Sequence, residues 1–115
     1  GQVWQDHLGP MFELFDVLIT PTVSSPEVPA ENWQKSKLVI NGKTVTDTDI
    51  AMTGLWNMFG HCPVLAIPSG MTDKGLPTGI QIIGRPYDDV TVFRVGAALE
   101  CVKPWFDKAD RRPNI

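Results

Sequence analysis

The stretch GLPTGIQIIGRPYDD, residues 75–89, decides the fold. Gly75, Pro77 and Gly79 crowd its front, an apolar run follows, and Gly84-Arg85-Pro86 cuts the run off, so Thr78 to Ile83 reads as a strand. Just upstream, PVLAIPSG (63–70) is a second apolar run closed by Pro68 and Gly70. The residues between, Met71-Thr72-Asp73-Lys74-Gly75, are turn chemistry of a length that suits two antiparallel neighbours. Downstream, Asp88 or Asp89 supplies a helix N-cap, and Val90, Phe93, Arg94, Ala97, Ala98 and Glu100-Cys101 continue as a helix.

Working outward, Trp4, Leu8, Met11, Phe12 and Phe15 recur at three- and four-residue steps on one helical face, which Gly9-Pro10 splits or kinks. DVLITPT (16–22) is another short apolar run. Neither it nor PVLAIPSG alternates, the pattern of strands covered on both faces in a parallel or mixed sheet. Residues 23–47 form a long loop with a hairpin signal at Asn41-Gly42. Asp47, Thr48 or Asp49 then caps a helix carrying Ile50, Met52, Leu55, Trp56 and Phe59, with Gly60 as its stop. The tail, 104–115, is rich in proline and charge and is expected to wander over the surface.

The order helix, strand, long loop, helix, strand, strand, helix is an α/β arrangement. Three strands and three helices cover only part of one another, so some apolar sheet surface lacks a partner within these residues. At 115 residues, 43% apolar and 20% charged, the chain reads as one small globular domain. A net charge of −3 with scattered Lys and Arg argues against nucleic acid and against an anionic membrane surface. No apolar segment approaches the roughly 18–20 residues of a membrane span. The start, Gly1-Gln2-Val3-Trp4, has neither an initiator Met nor a signal peptide and is expected to be cut; a cytoplasmic location is the accompanying expectation.

Complete catalytic constellations are not visible. Ser24-Ser25 is followed by Pro26, which removes a backbone donor where an oxyanion hole would want one, and reads as loop. His61 and Cys62 are adjacent, so their side chains point apart, and the helix-to-strand junction explains both. Asp88-Asp89 serves capping better than acid/base work. Cys62 and Cys101 lack C-x-x-C spacing and read as free thiols rather than a disulfide; with His7 and His61 they complete no metal-ligand pattern. Gly75, Gly79 and Gly84 match no phosphate-binding loop. Trp56 and Phe59, ahead of a Gly-His-Cys-Pro break, suit either core or a pocket wall.

FDVLITPT, NMFGHCPVLAIPSG and GLPTGIQIIGRPYDDVTVFRVGAALE, in that order, resemble the C-terminal portion of the amidase signature enzymes, which include the amidase subunit of the glutamyl-tRNA amidotransferase. The matching positions are Asp16, Thr20-Pro21-Thr22, Asn57, Gly60, Pro63, Pro68 to Gly70, Gly75-Leu76-Pro77, Gly79, Gln81 and Gly84-Arg85. The likeness is dense over 53–100 and weaker over 1–30. It implies a helix-flanked mixed β-sheet whose full version hydrolyses amides through a Ser acyl-enzyme, using two Ser and a Lys and no cofactor. No Gly/Ser-rich signature occurs here, and Lys35, Lys37, Lys43, Lys74, Lys103 and Lys108 have no matching context, so no catalytic residue is carried over. The resemblance makes Thr53, Trp56, Asn57 and Cys62 the candidate substrate-pocket residues. It implies a single partial domain over 1–115: helix and strand in 1–30, loop in 31–47, helix-strand-strand-helix in 48–103, tail in 104–115. The expected partners are the missing N-terminal half and a small-molecule amide in the intact enzyme. A second reading is a non-catalytic module that self-associates, with strand exchange as one route to a homo-oligomer, or binds another protein.

Overall fold

A computed structural model of the chain describes residues 1–25, 28 and 38–114. Its centre is a three-stranded antiparallel sheet of β1 (Val17–Pro21), β4 (Val64–Met71) and β5 (Pro77–Gly84), ordered β1-β5-β4. The opening stretch is thus the middle strand. Leu18 and Val64 both face Ile83, Ile19 and Leu65 face Ile82, and Thr20 and Ala66 face Gln81. Between β4 and β5 the chain turns through Gly75 at φ 80°, a backbone state that glycine adopts without a Cβ clash. The sheet carried here is antiparallel throughout, where the unalternating runs suggest a parallel or mixed one.

Only β5 is covered on both faces. Ile82 and Ile83 point to opposite sides and both are 0% exposed. On the Ile82 side lies α4 (Asp89–Val102), with Val92 against Gly84 and Gly96 against Leu65. Asp88 is its N-cap, accepting from the Thr91 amide at 3.2 Å and the Thr91 hydroxyl at 2.6 Å. On the Ile83 side, Phe12, Trp56 and Cys62 form the buried cluster, flanked by Trp4, Leu8, Met11, Leu18 and Phe59. The unalternating runs in β1 and β4 are therefore not covered twice: these are edge strands, with Ile19 49% exposed and Val64 and Ala66 also open. Phe93 of α4, 64% exposed, adds to the uncovered apolar surface.

The first helix runs through Gly9-Pro10 without breaking. Proline has no N–H to donate, and the preceding turn, Trp4–Leu8, is wound as a π-helix that leads into α1 (Gly9–Leu14), with the Gly9 amide donating back to the Trp4 carbonyl. Arg85 holds the end of α1: its Nε donates to the Phe12 carbonyl at 2.8 Å and an Nη to the Phe15 carbonyl at 3.2 Å. Asn41 and Gly42, with φ of 51° and 77°, make the tight turn between β2 (Leu38–Ile40) and β3 (Lys43–Val45). Most of the preceding loop, including Lys35 and Lys37, lies outside the described residues.

The helix expected from about 48 to 59 is two short ones, and its cap is Thr46. In α2 (Asp47–Ile50) Thr46 and Asp49 exchange a capping box, and the Thr46 amide and hydroxyl hold the Asp49 carboxylate below its usual range. The chain then leaves the helix over 51–53, extended at Ala51 and back in the helical region at Thr53, before α3 (Gly54–Met58). Tertiary pairing overrides helical propensity here: Ala51 bridges Val23, the Ser24 amide donates to the Ile50 carbonyl at 2.9 Å, and the Met52 amide to the Thr22 carbonyl at 3.0 Å. In the tail, Ala109–Arg111 is a single 3₁₀ turn, and the Arg111 guanidinium sits 4.5 Å over the Trp105 ring.

Candidate functional site

The break at 51–53 builds a concavity. It brings α3 over the Gln81–Ile83 face of the sheet, beside the open strand β4, and bounds an open hollow of about 390 Å³. Thr53, Trp56, Asn57 and Cys62 all line it, joined by Thr22, Gly60, Val64, Ala66 and Gln81. Each arrives by a separate local cause. Thr53 and Asn57 lie at the start and within α3, exposed; Trp56 turns inward onto Phe59, ring centroids 6.5 Å apart; Cys62 is buried after the turn that ends α3.

Both walls mix apolar and polar groups, Val64 and Ala66 with Thr22 and Gln81 on the sheet side and Trp56 with Thr53 and Asn57 on the α3 side, as expected of a small-molecule site. Burial pushes the Cys62 thiol up from its ordinary value, so it stays protonated at neutral pH and is a weak nucleophile. His61 faces the other way, its Nδ1 2.8 Å from the Tyr87 hydroxyl. Ser24 and Ser25 do not line the space; Ser24 is bound through its amide to Ile50. Both cysteines are free, Cys101 being exposed on α4. A second hollow of about 430 Å³, beside Trp4 and Arg85, is an unpromising alternative because its one cation is already committed to helix carbonyls and to Asp16 at 3.6 Å. Among the described residues no group of three or more metal-ligating side chains forms, and no helix is long and apolar enough to cross a membrane.

Gln81, like Thr22, lines the hollow and is otherwise marked only by its place in the family pattern. It is 2% exposed and donates through Nε2 to the Pro21 carbonyl at 2.9 Å, the Met52 carbonyl at 3.1 Å and the Thr20 hydroxyl at 3.3 Å. The signal was a lone carboxamide inside the apolar run 80–83.

This sheet, with its helix-flanked hollow, is a piece of the amidase fold. The family model described as Amidase matches residues 2–93, and the chain belongs to that family. An acylamidase of Rhodococcus erythropolis is 34% identical over 110 residues, covering 94% of this chain and 22% of that protein. A glutamyl-tRNA(Gln) amidotransferase subunit of Chloroflexus aggregans is 34% identical over 105 residues, covering 91% of this chain and 19% of that protein. The crystal structure of a bacterial aryl acylamidase of the amidase signature family superposes with a TM-score of 0.72 at 31% identity, over 92% of this chain and 22% of the other. The chain thus spans about a fifth of the length of each of these three relatives, and represents an amidase-like C-terminal portion.

Proposed function

We propose that residues 1–115 are a single partial domain, the C-terminal, pocket-completing portion of a hydrolase that cleaves carboxylic amides through a Ser acyl-enzyme. The observation that carries this reading is the convergence of Thr53, Trp56, Asn57 and Cys62 on one hollow beside the open edge of the sheet. In this reading Trp56, Val64 and Ala66 offer apolar contact to the acyl part of an amide, and Thr53 and Asn57 offer hydrogen bonds that orient it. The Ser-Ser-Lys chemistry comes from sequence beyond these residues, and the 115-residue chain alone is inactive.

The test compares amide hydrolysis by the purified chain with that by the natural polypeptide carrying it, after peptide mapping of that polypeptide. Turnover only by a longer polypeptide with a Gly/Ser-rich segment and a suitable Lys supports the reading. Turnover by the 115 residues alone, lost on Ser24→Ala or Ser25→Ala, defeats it. The exposed Ile19 and Phe93 favour a second reading, a self-associating module. A sedimentation profile that stays monomeric at every concentration counts against it.

A further inference from the structure

Gln81 does something that its neighbours on β5 do not. A buried carboxamide is costly unless its groups are bonded, whereas a methionine or leucine fills similar volume without that cost. What the amide adds here is a pair of N–H donors aimed at backbone oxygens of two separate segments, the end of β1 and the break at 51–53. Both Pro21 and Met52 present carbonyl oxygens, so the side-chain nitrogen must face them and the amide has one orientation. The backbone contacts to Val23, Ser24 and Thr22 hold residues 50–52 along one edge, and Gln81 reaches the same stretch from the sheet face.

We propose that Gln81 is a positioning residue for the pocket wall: its carboxamide fastens residues 51–53 to the end of β1 and thereby sets Thr53 and α3 over the hollow. The inference rests on the pocket reading above. Gln81 borders the hollow itself, and the titratable group among the other lining residues is the Cys62 thiol, which burial keeps protonated.

The experiment uses two variants in the natural polypeptide. Gln81→Met keeps the length of the side chain and has no donor. Gln81→Glu keeps its shape, has no donor while ionised, and regains one O–H when protonated, at a pKa that burial raises. Two things are read: amide hydrogen-exchange protection at 51–57 relative to Ile82 and Ile83, and KM against kcat for a small carboxylic amide. Gln81→Met is expected to lower protection at 51–57 about tenfold or more at every pH, with Ile82 and Ile83 still protected and KM raised more than kcat is lowered. Gln81→Glu is expected to do the same near neutrality and to recover as the pH falls, while the parent does not change. The proposal is overturned if protection at 51–57 stays within about twofold of the parent in both variants, or if both lose it across the whole of β5 alike at every pH. Exchange needs no substrate: a parent that neither binds nor cleaves an amide overturns the pocket reading, while the exchange arm still decides whether Gln81 anchors the wall.

Discussion

The Tyr87 hydroxyl lies 2.8 Å from His61 Nδ1, and the Tyr87 amide donates to the His61 carbonyl at the same distance, so one residue grips the other at both ends. Tyr87 does so with φ at 63°, a left-handed backbone that a tyrosine adopts only when its surroundings hold it. This clasp ties the turn after β5 to the segment that ends at Cys62. Because the pair is exposed, its coupling is modest: a double-mutant cycle with Tyr87→Phe and His61→Ala should give about 0.5–1 kcal/mol in urea unfolding. Strict additivity would mean the side-chain contact contributes nothing to stability.

Two glycines at the contact between α4 and the sheet, Gly84 on β5 and Gly96 within α4, should respond very differently to alanine. A Cβ on Gly84 would sit 2.7 Å from Val92 Cγ1, 3.1 Å from Pro63 Cγ and 3.2 Å from the Asp88 carbonyl oxygen, hemmed in on several sides including backbone. Gly84→Ala should therefore destabilise by about 1–3 kcal/mol. A Cβ on Gly96 meets chiefly Leu65 Cδ2, at 2.5 Å, the far end of a side chain that can rotate away. Alanine also favours the helix by about 0.8–1 kcal/mol over glycine, so Gly96→Ala should come out within about 1 kcal/mol of neutral. Comparing urea midpoints of the two variants checks the ordering, and equal losses would contradict the packing described.

The Asp88 cap carries a pH signature. The Thr91 hydroxyl first, then the Thr91 amide, holds the Asp88 carboxyl below its ordinary 3.8. A folded-state value below the unfolded one contributes stability that is fully present above pH 3.8 and lost as the pH falls through the lower folded value. Asp88→Ala should lower the thermal midpoint by about 5 °C at pH 7. Asp88→Asn, which keeps a capping oxygen, should lower it less, and its deficit relative to the parent should shrink as the pH falls below 3.8. A deficit that grows on acidification would contradict this assignment.

Much of this was legible locally. The punctuation of residues 75–89 marks β5 and α4, the turn residues 71–75 mark an antiparallel pair, and Asn41-Gly42 has the positive φ that its hairpin signal demands. What was hidden depends on residues far apart in the chain. The break at 51–53 arises from pairing with Val23, and Gln81 reaches across 60 residues to Pro21 and 29 to Met52, distances that no periodicity within a helix registers. That some apolar sheet surface lacks cover follows from the count of elements, but that it lies on β1 and β4 does not, because an apolar run says that a strand prefers cover and not whether these residues supply it. Thr53, Trp56, Asn57 and Cys62 came from the family resemblance, and the fold does bring them to one hollow.

The central claim is that this hollow meets an amide substrate, and Asn57 tests it most directly because it lines the space while remaining exposed, so its loss leaves the core intact. The measurement is kcat/KM for a carboxylic amide with the natural polypeptide and its Asn57→Ala variant, alongside their thermal midpoints. The account predicts a fall of about tenfold or more in kcat/KM, the loss of one orienting hydrogen bond, with the midpoint unchanged. A kcat/KM within about twofold of the parent, at equal stability, would contradict it.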